Sequence, residues 1–154
     1  MKNYMKLEIA AISENESFAR SAVAAFALTL NPSLSELSDI KTAVSEAVTN
    51  CIVHAYKGEK TPKNKILIDC VAEEEQGEGV LHIDVTDFGC GIENLDEAMQ
   101  PFFTTLSPSE RSGMGFTIMQ AFSSSFSARS VKGEGTTVSM LKKIGVGGKE
   151  EKNA

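Results

Sequence analysis

Glu46, Asn50 and His54 recur every four residues in the stretch 45–56, SEAVTNCIVHAY. At about 100° per residue, helical positions four apart fall about 40° from one another, so a carboxylate, a carboxamide and an imidazole form one leaning stripe. Val44, Ala47, Val48, Cys51, Ile52 and Ala55 fill an apolar arc beside it, which sets the polar groups at the rim of a buried face. A site for a charged ligand uses such groups, and a solvated helix edge carries the same pattern.

Glycines downstream narrow the chemistry. Asp87-Phe88-Gly89-Cys90-Gly91 ends a strand pattern, and after a lid-like segment of about twenty residues Ser112-Gly113-Met114-Gly115 opens a helix. Residues without side chains let the backbone approach a ligand, and free amides in a first helical turn, with the helix dipole, favour phosphate. The lone carboxylate of Asp87 can accept a hydrogen bond from an exocyclic amine, which suits adenine. Gly133-x-Gly135-Thr136-Thr137 adds a third small-residue turn with hydroxyls. Together these describe a nucleotide pocket in which the carboxamide oxygen of Asn50 could ligate Mg²⁺.

The elements that must position these groups follow from periodicity. Met5, Leu7, Ile9 and Ala11 alternate with Lys6, Glu8 and Ala10 as in a half-buried strand. Ser13 and Glu16 have capping-box spacing, which predicts a helix from there to about Leu30 with Phe18, Ala22, Ala25 and Phe26 on its core face. Val23 and Ala27 continue the apolar surface towards Glu16 and Arg20, and this breadth points to a protein-protein surface or a homodimer as readily as to alanine helix propensity. Asn31-Pro32 breaks that helix, and Ser33 or Ser35 caps a second, over 36–56, that carries the polar stripe. Strands at 66–72 and 80–87 flank an acidic turn, 73–79. A short helix around 95–99, a third helix at 116–122 and closing strands at 126–131 and 136–144 complete the domain.

Composition bounds the class. A chain of 154 residues that is 42% hydrophobic supports one domain with a proper core, here 1–144, and the polar 145–154 is expected to be a disordered tail. A net charge of −6 with both signs interspersed marks neither a nucleic-acid surface nor a polybasic membrane patch. No apolar run approaches a membrane span and the first residues lack a signal-peptide core, so a cytosolic protein is expected. Cys51, Cys70 and Cys90 fit neither a disulfide framework nor paired zinc ligands, and Cys51 and Cys70 are expected to be small, reduced core residues.

Glu46-x-x-x-Asn50, Asp87-x-Gly89-x-Gly91, Gly113-x-Gly115 and Gly135-Thr136-Thr137 resemble the nucleotide-binding boxes of the Bergerat-fold ATPases, the superfamily of gyrase, histidine kinases and MutL. Over about 1–143, and most closely in SENESFAR, SEAVTN, QPFFTT and ERSGMGFTIM, the chain resembles the sporulation anti-sigma factors of the anti-sigma-F type. That resemblance implies an α/β two-layer fold with helices on one face of a mixed, mostly antiparallel sheet. It also implies a protein serine kinase that uses ATP and Mg²⁺, binds a sigma factor and phosphorylates an anti-anti-sigma protein. By the same resemblance Glu46 is the general base and Asn50 the Mg²⁺ ligand, while Asp87 fixes adenine with support from Gly89, Gly91 and Thr137. Thr104, Thr105, Arg111, Ser112, Gly113 and Gly115 make the lid and phosphate turn, Arg111 being the candidate for the γ-phosphate. Glu16 and Arg20 are the candidates for partner docking, and His54 has no assigned role. The loop 57–65 and the turn 73–79 look longer than the family pattern, and Cys90, inside the glycine turn, would make nucleotide binding sensitive to thiol reagents.

Two other functions fit parts of the pattern. A non-catalytic module that holds ATP and a sigma factor would not need Glu46. A histidine-kinase-type catalytic domain would need dimerisation helices bearing a phosphoacceptor histidine, for which 154 residues leave no room.

Overall fold

The computed structural model describes residues 2–100 and 115–145. The lid residues Thr104, Thr105, Arg111, Ser112 and Gly113, and the tail from 146, lie outside them. Strand β1 (Lys2–Ala10) leads into helix α1 (Glu14–Ala27) with a 3-10 turn at Leu28–Leu30; α2 (Leu34–Asn50) then runs into a π turn at Cys51–Ala55. The hairpin β2 (Lys65–Glu75) and β3 (Glu78–Asp87), the short helices α3 (Leu95–Ala98) and α4 (Gly115–Ala121), and the hairpin β4 (Ser125–Val131) and β5 (Gly135–Ile144) follow.

The strands form one sheet in the order β1-β2-β3-β5-β4. The two-layer expectation holds, with a refinement: every pairing is antiparallel, so the sheet is not mixed. Alternation puts Ile66, Ile68, Leu81, Val85 and Ile144 on the face that meets Val23 of α1, Ile40, Val44 and Val48 of α2 and Met119 of α4, all below 2% exposed. Leu81, Ile83, Val85 and Asp87 of β3 all point inward, so the carboxylate arrives at the end of a buried row.

Where α2 lies is decided at its first turn. Ser33, in an extended conformation, accepts the Glu36 amide (3.1 Å) while the Glu36 carboxylate accepts the Ser33 amide (2.9 Å). Glu36 is buried and also accepts the Gly145 amide at the end of β5 (3.1 Å), and one turn on Asp39 pairs with Lys142 of β5 at 2.8 Å. These ties lay the helix along the sheet so that its far end reaches the end of β3.

Four local expectations change. Ser13 makes no capping bond: its backbone is already helical, which turns its hydroxyl away from the third amide, and Glu16 pairs with Arg20 instead. The core face of α1 is Ala19, Val23, Ala24 and Ala27, while Phe18 is 54% exposed; a helix this rich in alanine is apolar nearly all round, so spacing does not set its rotation. The hairpin 73–79 is no long loop: the strands continue to Glu75 and Glu78, and Gln76 and Gly77 turn at φ of 53° and 82°, both left-handed as in a type I′ turn. Helix α2 ends at Asn50, and the wider i to i+5 turn that follows changes the phase between Asn50 and His54.

Candidate functional site

Beneath the end of α2 lies a cavity of about 600 Å³, between the π turn, the ends of β3 and β5, the loop after β3 and the start of α4. Asn50, Cys51, His54, Asp87, Gly91, Gly115 and Thr136 all contribute to its wall. Apolar groups such as Val85, Ile92, Phe116 and Val138 share the wall with polar ones that include Glu93, Asn94 and Glu97, the make-up of a small-molecule site with polar groups to orient the ligand.

Asp87 is 5% exposed, and its Oδ1 accepts the amides of Gly89 (3.0 Å) and Thr136 (3.2 Å). Cys51 is buried and lines the same cavity. Burial pushes the Asp87 carboxyl above its ordinary value, and the Gly89 amide, the Cys51 thiol and the Thr136 amide pull it back. Burial also raises the Cys51 thiol well above its usual range, so it is protonated at neutral pH. An acceptor held in an apolar recess by fixed donors is suited to a ligand N–H.

The loop after β3 is clamped from two sides. On one, the Phe88 amide donates to the Tyr56 hydroxyl (2.7 Å), which donates to the Lys65 carbonyl (2.6 Å), and the Cys90 amide donates to the Ala55 carbonyl (3.1 Å). The π turn supplies Ala55 and is followed directly by Tyr56, and a Cβ at Gly89 would strike the Ala55 carbonyl. On the other side the Ile92 amide donates to Ser130 Oγ, and the Gly133 amide to the Cys90 carbonyl, both at 2.7 Å. Gly91, at φ 70°, passes so close to Val131 that a Cβ would overlap its carbonyl. The two glycines expected to admit a ligand are therefore required first by chain-to-chain contact, with Gly91 serving both. Replacing Tyr56 by Phe removes two hydrogen bonds and leaves the part-buried Phe88 amide without its partner, at a cost of about 1–2 kcal/mol. Tyr56→Phe is expected to lower the denaturation midpoint accordingly and to weaken nucleotide binding several-fold, both measurable on one preparation.

The other expected residues divide. Asn50 and Gly115 line the cavity; Gly89 braces the loop behind it. Thr137 does not face the cavity: it pairs with Thr86 on the opposite side of the sheet, hydroxyl to hydroxyl at 3.0 Å, while Thr136, opposite Asp87, takes the place assigned to it. Strand alternation forces this, since Asp87 and Thr137 are one residue out of phase. Glu46 sits half-buried one turn before Asn50 on α2 and is not among the described residues of the cavity wall. His54, expected to be framework, contributes to the wall, as does the exposed Cys90; Cys70 is a core thiol, pushed up to about 12 by burial. Spacing gave no signal for Cys51 beyond the core or for Tyr56, because their partners lie more than thirty residues away. Glu16 and Arg20 pair at 3.2 Å on α1, and Arg20 also donates to Ser45 Oγ (3.4 Å), the residue before Glu46.

No group of three or more His, Cys, Asp or Glu able to hold a metal occurs among the described residues. The carboxamide of Asn50 fits Mg²⁺ in the manner usual for that ion, one protein oxygen completed by phosphate oxygens and water. Among the described residues no helix is long and apolar enough to cross a membrane.

Comparison with known proteins agrees with this architecture. Residues 9–142 match the family described as "Histidine kinase-like ATPase domain". An anti-sigma F factor of Geobacillus thermodenitrificans is 50% identical over 144 residues, covering 94% of both chains, and one of Clostridium acetobutylicum is 46% identical, covering 94% of this chain and 96% of its own. In fold, the chain is similar to the RsbU and RsbW domains of a Mycobacterium tuberculosis protein (TM-score 0.62, 17% identity, 92% of this chain and 32% of that one). It is also similar to the SiaB-SiaC complex of Pseudomonas aeruginosa (TM-score 0.60, 14% identity, 89% and 88%). Sequence match along nearly its whole length and a shared sheet architecture thus agree: the chain belongs to the histidine kinase-like ATPase family, among the anti-sigma F factors.

Proposed function

We propose that this protein is a cytosolic anti-sigma factor and an ATP-dependent protein serine kinase. It holds a sigma factor and transfers the γ-phosphoryl group of ATP to a serine of a small anti-anti-sigma protein. The observation that carries the proposal is the contact of Arg20 with Ser45, which sets the Glu16/Arg20 surface of α1 against the turn of α2 that bears Glu46. A partner docked on Glu16 and Arg20 would thus present its serine beside Glu46, while the nucleotide lies one turn further on at Asn50 and Asp87. Phosphoryl transfer asks chiefly for positioning and charge stabilisation, and a single helix provides the alignment.

In this mechanism Asp87 accepts the exocyclic amine of adenine and the Gly89–Gly91 loop holds it in place. Glu46 takes the proton from the attacking serine as the new O–P bond forms, and ADP leaves with the electrons of the broken bond. Mg²⁺, bound through Asn50 and the phosphates, would supply charge neutralisation. Thr104, Thr105, Arg111, Ser112 and Gly113 would close over the phosphates, with Gly115 at the hinge into α4. A homodimer through the unpartnered apolar surfaces belongs to the same proposal.

Incubation with γ-labelled ATP, Mg²⁺ and the cognate anti-anti-sigma protein tests it. Label is expected on a partner serine, and Arg20→Ala is expected to reduce both partner binding and transfer. Partner and sigma-factor binding with no transfer would leave a non-catalytic binding module; label on a histidine would make it a histidine-kinase-type domain.

A further inference from the structure

Ser130, on β4, carries a hydroxyl that the kinase mechanism leaves without a task. It stands opposite Thr136 in the β4–β5 register, and its part-buried Oγ meets groups from three segments. It accepts the Ile92 amide of the loop after β3 at 2.7 Å, lies 3.1 Å from the Gly135 carbonyl and 2.7 Å from Thr136 Oγ1. Thr136 in turn is buried, lines the cavity and gives its amide to Asp87 Oδ1.

A serine hydroxyl has one proton and two lone pairs. The Ile92 amide can only donate and the Gly135 carbonyl can only accept, so one lone pair of Ser130 is filled by Ile92 and its proton goes to Gly135. The second lone pair then takes the Thr136 hydroxyl, which must donate. No other assignment satisfies all three contacts. The Thr136 proton is thereby spent on β4, and what its oxygen can offer a ligand is lone pairs. Asp87 and Thr136, tied together through the Thr136 amide, stand side by side as two acceptors.

We propose that Ser130 is a specificity-determining positioning residue: by drawing the Thr136 proton to itself it keeps Thr136 an acceptor beside Asp87, so that this end of the cavity takes a 6-aminopurine nucleotide and rejects a 6-oxopurine one. The inference rests on the adenine-nucleotide reading of the cavity. A 6-amino group can donate to such a wall. A 6-oxo group needs a donor, which the Thr136 hydroxyl would supply if its proton were released; without one, oxygen is set against oxygen, and such mispairing is strongly rejected.

Affinities for ATP and ITP, which differ at the purine 6-position, are compared in wild type, Ser130→Ala and Ser130→Thr, and in Thr136→Val with and without Ser130→Ala, with circular dichroism as the fold control. Ser130→Ala also leaves the Ile92 amide without its partner, so both nucleotides are expected to bind more weakly, and the ratio reports the proton. The ATP-to-ITP preference is expected to fall about 3- to 10-fold in Ser130→Ala, as ITP gains one hydrogen bond, and to stay within about 2-fold of wild type in Ser130→Thr, which keeps the hydroxyl. Thr136→Val has no proton to release, so adding Ser130→Ala to it is expected to change the preference by less than about 2-fold. Equal losses for both nucleotides in Ser130→Ala, or a fall in preference that persists on Thr136→Val, would overturn the proposal, since a merely structural Ser130 acts through the loop and not through the Thr136 proton. Proton NMR of the nucleotide-free protein reads the bond itself: the Thr136 hydroxyl proton is expected to be protected from exchange in wild type and unprotected in Ser130→Ala, and an unprotected one in wild type counts against the proposal. If wild type shows no preference for ATP, or Asp87→Asn leaves ATP affinity unchanged, the adenine reading itself fails, while the NMR measurement still decides where the Thr136 proton lies.

Discussion

Asp87→Asn is expected to weaken ATP binding about 100-fold or more while leaving the protein at least as stable as wild type. The carboxamide oxygen can still accept the Gly89 and Thr136 amides, so the loop keeps its anchor. Its NH₂ group then faces the purine amine, donor against donor, and a hydrogen bond to a charged acceptor worth about 1.5–3 kcal/mol becomes a repulsion. Stability moves the other way. Burial raises the Asp87 carboxyl above its ordinary 3.8, so the folded protein binds that proton more tightly than the unfolded chain does. The contribution of Asp87 is therefore most favourable below pH 3.8 and is lost as pH rises through the raised folded-state value, leaving the ionised group a net cost at neutral pH. Melting temperatures of the two proteins across this range should show wild type losing ground to Asp87→Asn as pH rises above 3.8, with a plateau once Asp87 is fully ionised. A variant that binds ATP normally, or one destabilised at neutral pH, would contradict the desolvated-acceptor role.

Glu46→Ala is expected to lower phosphoryl transfer by about 10²- to 10⁴-fold, the usual worth of a positioned base, with ATP affinity within about 2-fold of wild type. Glu46 is half-buried, one turn before Asn50 and not among the described residues of the cavity wall, so the nucleotide should not register its loss. Single-turnover transfer to the anti-anti-sigma protein, measured beside equilibrium binding of ATP, separates the two effects. Transfer that survives would remove Glu46 from the mechanism; transfer and ATP affinity lost together would make it a binding residue instead.

Local chemistry was legible wherever a residue's role depended on near neighbours. The inward row Leu81, Ile83, Val85 and Asp87 follows from a period of two, so the carboxylate at the strand end was predictable. Sequence offered Ser33 or Ser35 as the cap of α2, and Ser33, with a glutamate three residues on, takes the place. The same signature at Ser13 and Glu16 failed because the backbone before α1 is already helical, which the motif does not encode. The acidic run 73–75 concealed the end of a strand, since its register is set by pairing with β1 and β3 and not by strand propensity.

The polar stripe, the order of the glycine turns along the chain and the helix that carries Glu46 and Asn50 were written in spacing, because periodicity and turn residues act over a few positions. Contacts between distant segments determined the rest. Sheet register brought Thr136 to Asp87 and sent Thr137 to the far face. The π turn bent the end of α2 so that Ala55 and Tyr56 hold the loop after β3. The end of α2 brought Cys51, by composition an ordinary core residue, to the cavity wall, where burial raises its thiol well above the usual range. A hydrogen bond between residues thirty or more positions apart leaves no period in a sequence, and a group's protonation is set by whatever the fold packs around it.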